Sequence, residues 1–171
     1  NGILGEAPNT IDLLFLGDSE SYSAFTPLKL WKDYGITSYV CGSPGQKLYY
    51  THEFLRKTFE TQSPKVVILE TNCFFRNFSY AEMVESTVSN LMPVFRYHDR
   101  WKSLNEKDLD FFTWYSNLQN NKGYVYSTAK NGVSPRGYMH FSKELEPISD
   151  KNLSYLEQIS AFCRAHGAKL I

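Results

Sequence analysis

Apolar positions fall in short blocks along this chain, separated by polar stretches of helical period. Ile11 to Leu16 is a mostly apolar run that stops abruptly on Gly17-Asp18-Ser19. A second short run covers Thr37 to Cys41, and a third, "KVVILET" from Lys65 to Thr71, has the β-branched continuity of a strand buried in a parallel sheet. Between the first two runs the pattern predicts a helix over Thr26 to Tyr34, with Thr26 as N-cap, Pro27 in the first helical position and Gly35 ending it. After a tight loop at Gly42 to Gln46, a second helix is expected from about Lys47 to Thr61. Near the end, "SDKNLSYLEQISAFCRAHG" reads as an amphipathic helix capped by Ser149 or Asp150 and closed by Gly167. Its expected inner face is Leu153, Leu156, Ile159, Ser160 and Phe162/Cys163, and "AKLI" begins another strand. Strands alternating with helices predict a three-layer α/β/α sandwich around a parallel sheet, flavodoxin-like in plan, in one domain over residues 1–171.

The alternation breaks between about Phe74 and Pro147. "YAEMVESTVSNLMPVF" is helical until Pro93, "FRYHDRWKSLNEKDLDFFTWYSNL" is aromatic and charged, and Asn121 to Phe141 is a Gly-, Asn-, Ser- and Tyr-rich loop with at most a hairpin. An insertion of this length between core elements usually covers or builds a site, so residues 74–147 are read as a lid.

Composition narrows the function classes. Lys plus Arg number 18 and Asp plus Glu 18, with no block of like charge, which argues against nucleic acid as a partner. Cys41, Cys73 and Cys163 are three in number and spaced for neither a zinc site nor a disulfide framework. No Walker-type Gly-Lys-Ser/Thr and no Gly-x-Gly-x-x-Gly follows a strand, so a nucleotide-binding domain fits poorly. No run approaches the ~20 apolar residues of a membrane helix. The sheet pattern is still open at Ile171, so the sequence is read as a fragment.

In open parallel sheets ligands bind at the carboxyl ends of the strands. Three strands here end in small or polar residues: Gly17-Asp18-Ser19, Gly42-Ser43-Pro44-Gly45 and Thr71-Asn72. Ser19 supplies a hydroxyl that could act as a nucleophile, Gly45 an N–H without a shielding side chain, and Asn72 a side-chain amide; together they offer what an acyl transfer needs apart from its base. Each has a plainer reading as well: Ser19 as a turn or cap, Asp18 as a brace for the turn, Gly42 and Gly45 as backbone-permissive residues, and Cys41 and Cys73 as buried fillers. In "RYHDRW", Arg96 and Arg100 could hold an acidic group of a glycan, Trp101 could stack on a sugar, and His98 could act as a base. A salt-linked folding segment explains the same residues equally well.

"FLGDSES" resembles the first block of the GDSL/SGNH hydrolase superfamily, "VCGSPGQ" its second and "VVILETN" its third. The resemblance, over residues 11–72, implies Ser19 as nucleophile and the N–H of Gly45 and side chain of Asn72 as oxyanion donors. It implies a serine acyl-ester hydrolase with no cofactor or metal. The insertion resembles that of bacterial envelope members, implying an acylated carbohydrate substrate, a cell-envelope or extracellular location and a possible membrane acyl-transfer partner. The alternatives are an O-acyltransferase onto a cell-envelope polysaccharide and a non-catalytic carbohydrate-binding module on a degenerate hydrolase fold. Three departures stand out: Glu20 replaces a small apolar residue, Cys73 stands where many members have Asp, and the family's Asp-x-x-His, which supplies the base, is absent. That pair is expected beyond Ile171, and residues 1–171 alone are expected to be inactive.

Overall fold

The computed structural model describes residues 2–84, 120–128 and 144–171. Four strands form one parallel sheet: β1 (Leu13–Gly17), β2 (Ser38–Gly42), β3 (Val66–Leu69) and β4 (Lys169–Leu170), in the order β2-β1-β3-β4. Helices α1 (Ser19–Ala24) and α2 (Pro27–Tyr34) connect β1 to β2, α3 (Leu48–Phe59) connects β2 to β3, and α4 (Asp150–Ala165) precedes β4. The chain steps one way from β1 to β2 and the other way from β2 to β3. With right-handed crossovers, this puts α1 and α2 on one face and α3 with α4 on the other. The three-layer α/β/α sandwich with a parallel sheet is therefore the observed architecture.

Side-chain alternation divides the sheet between the two layers. Leu14 and Leu16, Tyr39 and Cys41, and Val67 and Leu69 join Leu48 and Leu55 of α3 and Ile159 and Cys163 of α4 in one buried cluster. The intervening Phe15 and Val40 are also buried, and Phe15 stacks on Phe25, just past α1, with ring centroids 4.0 Å apart. Each fully buried Leu or Ile contributes roughly 1.5–3 kcal/mol relative to exposure.

Several boundaries differ from those read in the sequence, each for a physical reason. The apolar run begins at Ile11, yet β1 starts at Leu13, because Thr10 and Ile11 give their N–H groups to the buried Oε1 of Gln62 (3.0 and 3.2 Å) rather than to a strand. α3 spans Leu48–Phe59, with Lys47 and Glu60 in the flanking cap positions and the Glu60 N–H turned back to the Lys57 carbonyl (3.3 Å). α2 matches expectation: Thr26 is the N-cap position, Pro27 opens the helix and Gly35 ends it in the left-handed conformation. On α4, Ser149 is the cap, but Leu153 faces outward, 47% exposed. Asn152 is buried in its place, so that Asn152, Leu156, Ile159 and Cys163 form the inner line.

Of the insertion, the described parts are anchored to the core. Ser79 and Glu82 form a reciprocal capping box: the Ser79 N–H donates to the Glu82 carboxylate and the Glu82 N–H to Ser79 Oγ. Segment 120–128 lies against the outer edge of the sheet. Val40 donates its N–H to the Lys122 carbonyl (3.0 Å), Val125 donates to the Tyr22 carbonyl (2.9 Å), and Lys122 Nζ pairs with Glu6 (2.7 Å). It thus occupies part of the edge that β2 would otherwise expose. Among the described residues no helix is long and apolar enough to cross a membrane.

Candidate active site

The strand register brings three chain segments to one edge. Gly17 pairs with Gly42, Leu16 with Leu69, and the Glu70 N–H still donates to the Leu16 carbonyl (2.9 Å). The residues that follow these positions, Ser19, Ser43 to Gln46, and Asn72, therefore emerge together at the carboxyl end of the sheet. Asn72 is not the end of a strand, as its sequence context suggested. β3 stops at Leu69, and Thr71–Phe75 coil into a 3-10 turn whose cap, Glu70, accepts the Asn72 N–H on its carboxylate.

Ser19 is the first residue of α1, and the cap is Asp18. Asp18 Oδ1 accepts the Glu20 N–H at 2.9 Å, while its Oδ2 accepts Asn72 Nδ2 at 3.0 Å, Arg76 Nε at 2.9 Å and Arg76 Nη2. The Asp18 side chain is wholly buried, whereas Ser19 is half-buried, and its hydroxyl has no hydrogen-bond partner among the described residues. The plainer reading of Ser19 as the helix cap does not hold, because the neighbouring aspartate does that work.

α1 sits close against β2 because Gly42 lacks a side chain. A Cβ there would lie 2.8 Å from Ser21 Oγ and 3.0 Å from the Asp18 carbonyl oxygen. Gly42 is thus needed for close approach rather than for unusual backbone angles. Gly45 does adopt the left-handed region, at φ +61°, in a turn where the Gln46 N–H donates to the Ser43 carbonyl (3.1 Å). The buried Gln46 side chain ties the turn to Thr51 (2.9 Å), and Gly45 itself is exposed, with an N–H unpaired among the described residues.

Two acids respond in opposite directions. Burial disfavours the charged form of Asp18, but the Glu20 N–H, the Arg76 guanidinium and the Asn72 amide outweigh it and hold Asp18 below its ordinary value. Burial pushes Glu70 above its ordinary value; the Asn72 N–H offsets part of this, and the charges of Asp18 and Glu20 add to it. Carboxylate oxygens of Asp18, Glu20 and Glu70 lie within 4.8 Å of one another. Both oxygens of Asp18 are already committed, one to the helix cap and one to Arg76 and Asn72, so this acid meets its cation within the chain.

No family model matches the sequence, and no curated protein matches it. Among solved structures, the chain is similar to a "putative acylhydrolase" from Bacteroides fragilis, at 12% identity and a TM-score of 0.31, covering 98% of this chain and 70% of that one. It is also similar to a GDSL-like lipase from Bacteroides thetaiotaomicron, at 14% identity and a TM-score of 0.30, covering 93% of this chain and 66% of that one.

Arg96, His98, Arg100 and Trp101 lie outside the described residues, as does His140. His52 is half-buried between α3 and α4 against Tyr155 and Phe162, where burial lowers its pKa. His166 is exposed and stacked on Phe162 at 4.0 Å. Neither hydrogen-bonds Ser19. The Cys73 thiol donates to the Glu70 carbonyl (2.8 Å), and burial pushes it up to about 12, which removes it as a nucleophile; Cys41 is likewise raised to about 12. Arg76 and Glu70 were not singled out in the sequence. Glu70 carries a visible signal, an acid closing an apolar strand, while nothing in the spacing marks Arg76.

Proposed function

We propose that the protein is a serine-dependent acyl-ester hydrolase of the GDSL/SGNH type, acting through a Ser19 acyl-enzyme. The observation that carries this reading is the division of labour at the β1–α1 turn. Asp18 takes the helix cap and fixes the Asn72 amide, leaving the adjacent Ser19 hydroxyl without a hydrogen-bond partner among the described residues. In the first step Ser19 Oγ attacks the ester carbonyl and loses its proton to a base. The alkoxide of the ester leaves with that proton, and water then hydrolyses the acyl-serine with the same group acting as base. The tetrahedral oxyanion is held by the N–H groups of Ser19 and Gly45 and by the second Nδ2 proton of Asn72, one being already given to Asp18. The resemblance puts the base in an Asp-x-x-His pair, which residues 1–171 do not contain, so the reading requires that pair from outside these residues.

Within this reading the substrate is an acylated carbohydrate and the protein acts at the cell envelope. The support is the likeness of the insertion, with its Arg96–Trp101 stretch, to that of envelope members. Release of acetate from p-nitrophenyl acetate by the full-length chain, and its loss in Ser19→Ala, tests the acyl-enzyme. Product analysis with and without an acetylated oligosaccharide tests the substrate class, and a transferred acyl group on the acceptor would replace hydrolysis by O-acyl transfer.

A further inference from the structure

We propose that Arg76 is a positioning residue of this site: it neutralises Asp18, so that the Asn72 amide, fixed there by one N–H, turns its other N–H to the oxyanion. The inference rests on the acyl-enzyme reading and deepens it. The candidate nucleophile stands beside three carboxylates, Asp18, Glu20 and Glu70, whose oxygens lie within 4.8 Å of one another. Negative charge that develops on an ester oxygen here would meet this field unopposed. Among the described residues, the ion pair that answers the cluster is Arg76 to Asp18.

Its geometry does more than balance charge. Arg76 Nε and Nη2 converge on the same Asp18 oxygen that accepts Asn72 Nδ2. Two guanidinium protons on that oxygen withdraw its negative charge and weaken its hold on the Asn72 amide. Without them a buried carboxylate would draw the amide to itself, since Asn72 would be its principal remaining side-chain donor. The guanidinium is itself placed from behind. Asn152, fully buried on α4, donates Nδ2 to the carbonyls of Phe74 (2.8 Å) and Arg76 (3.4 Å), fastening the turn that carries both Asn72 and Arg76. The last helix thus reaches the site through one amide.

The test compares kcat and KM for p-nitrophenyl acetate in the full-length chain and its Arg76→Met and Arg76→Lys variants, each checked for folding by circular dichroism. Met preserves the stem without the charge, and Lys restores the charge without the fork. The expected result is a kcat lowered about tenfold to a hundredfold in Arg76→Met at nearly unchanged KM, with most of the loss recovered in Arg76→Lys. Arg76→Ala assayed with and without methylguanidinium is the second measurement, and recovery of kcat by the added cation, but not by sodium chloride at equal ionic strength, is expected. An Arg76→Met variant as fast as the parent, or folded Met and Lys variants equally slow with no recovery by methylguanidinium, would overturn the assignment of Arg76 alone. A parent that turns over no ester would overturn the acyl-enzyme reading and the part of Arg76 in it together.

Discussion

Asp18 and Ser19 are neighbours, yet their removal should have very unequal consequences for stability. Asp18→Ala deletes the helix cap to Glu20, worth about 1 kcal/mol. It also deletes charge-assisted bonds from Arg76 and Asn72, which at about 1.5–3 kcal/mol are discounted because the Arg76 side chain is 36% exposed and water recovers part of its pairing. The sum is roughly 2–3 kcal/mol, or a fall in Tm of about 4–12 °C for a domain of this size. Ser19→Ala removes a hydroxyl without a partner among the described residues and should stay within about 0.5 kcal/mol. Urea and thermal unfolding of the two variants beside the parent measure both. The pH dependence adds a check of sign. Asp18 is depressed in the folded state, so its contribution is fully present above the ordinary value of 3.8 and is lost as pH falls through the lower folded value. The gap between parent and Asp18→Ala should therefore be widest near neutrality and close in strong acid. A Ser19→Ala variant as destabilised as Asp18→Ala, or an Asp18→Ala cost below 0.5 kcal/mol, would refute the division of labour between them.

Other expectations concern the same edge. Glu70 is raised in the folded state, so its ionised form opposes folding, and this penalty grows as pH rises from its ordinary value of 4.5 through the folded one. Glu70→Gln should accordingly stabilise the protein at pH 7, on the order of 1 kcal/mol for a partly buried carboxylate within 4.8 Å of two others, with the gain vanishing below pH 4 in thermal melts. Asn72→Ala should lower the esterase kcat of the full-length chain about 100-fold or more, a change that steady-state kinetics would read directly. Gly42→Ala should cost about 1–3 kcal/mol in urea unfolding, because its Cβ would meet Ser21 Oγ at 2.8 Å and the Asp18 backbone at 3.0 Å.

The fold was legible because the three apolar runs and the Pro27/Gly35 punctuation of α2 are local signals that tertiary packing did not override. What was less legible depends on contacts distant in sequence. α1 is six residues without an apolar period, and it forms because Asp18 caps it and Gly42 lets it lie close to β2. Leu153 and Asn152 differ by one position along α4, and a polar residue was buried because the carbonyls of Phe74 and Arg76 need a donor there. At the candidate site, the gathering of Ser19, Gly45 and Asn72 at one sheet edge follows from strand order. The bond from Asn72 to Asp18, and Arg76 with it, came from a turn folded back across 54 and 58 positions, which no short spacing announces.

In this mechanism Ser19 is an activated nucleophile. Intact-mass analysis after treatment with a fluorophosphonate tests it most directly, run on the full-length chain, its Ser19→Ala variant and residues 1–171. One adduct is expected on the full-length chain, none on Ser19→Ala, and weak labelling of residues 1–171, which lack the Asp-x-x-His pair. A folded full-length chain that takes no label, or an adduct that survives Ser19→Ala, would contradict it.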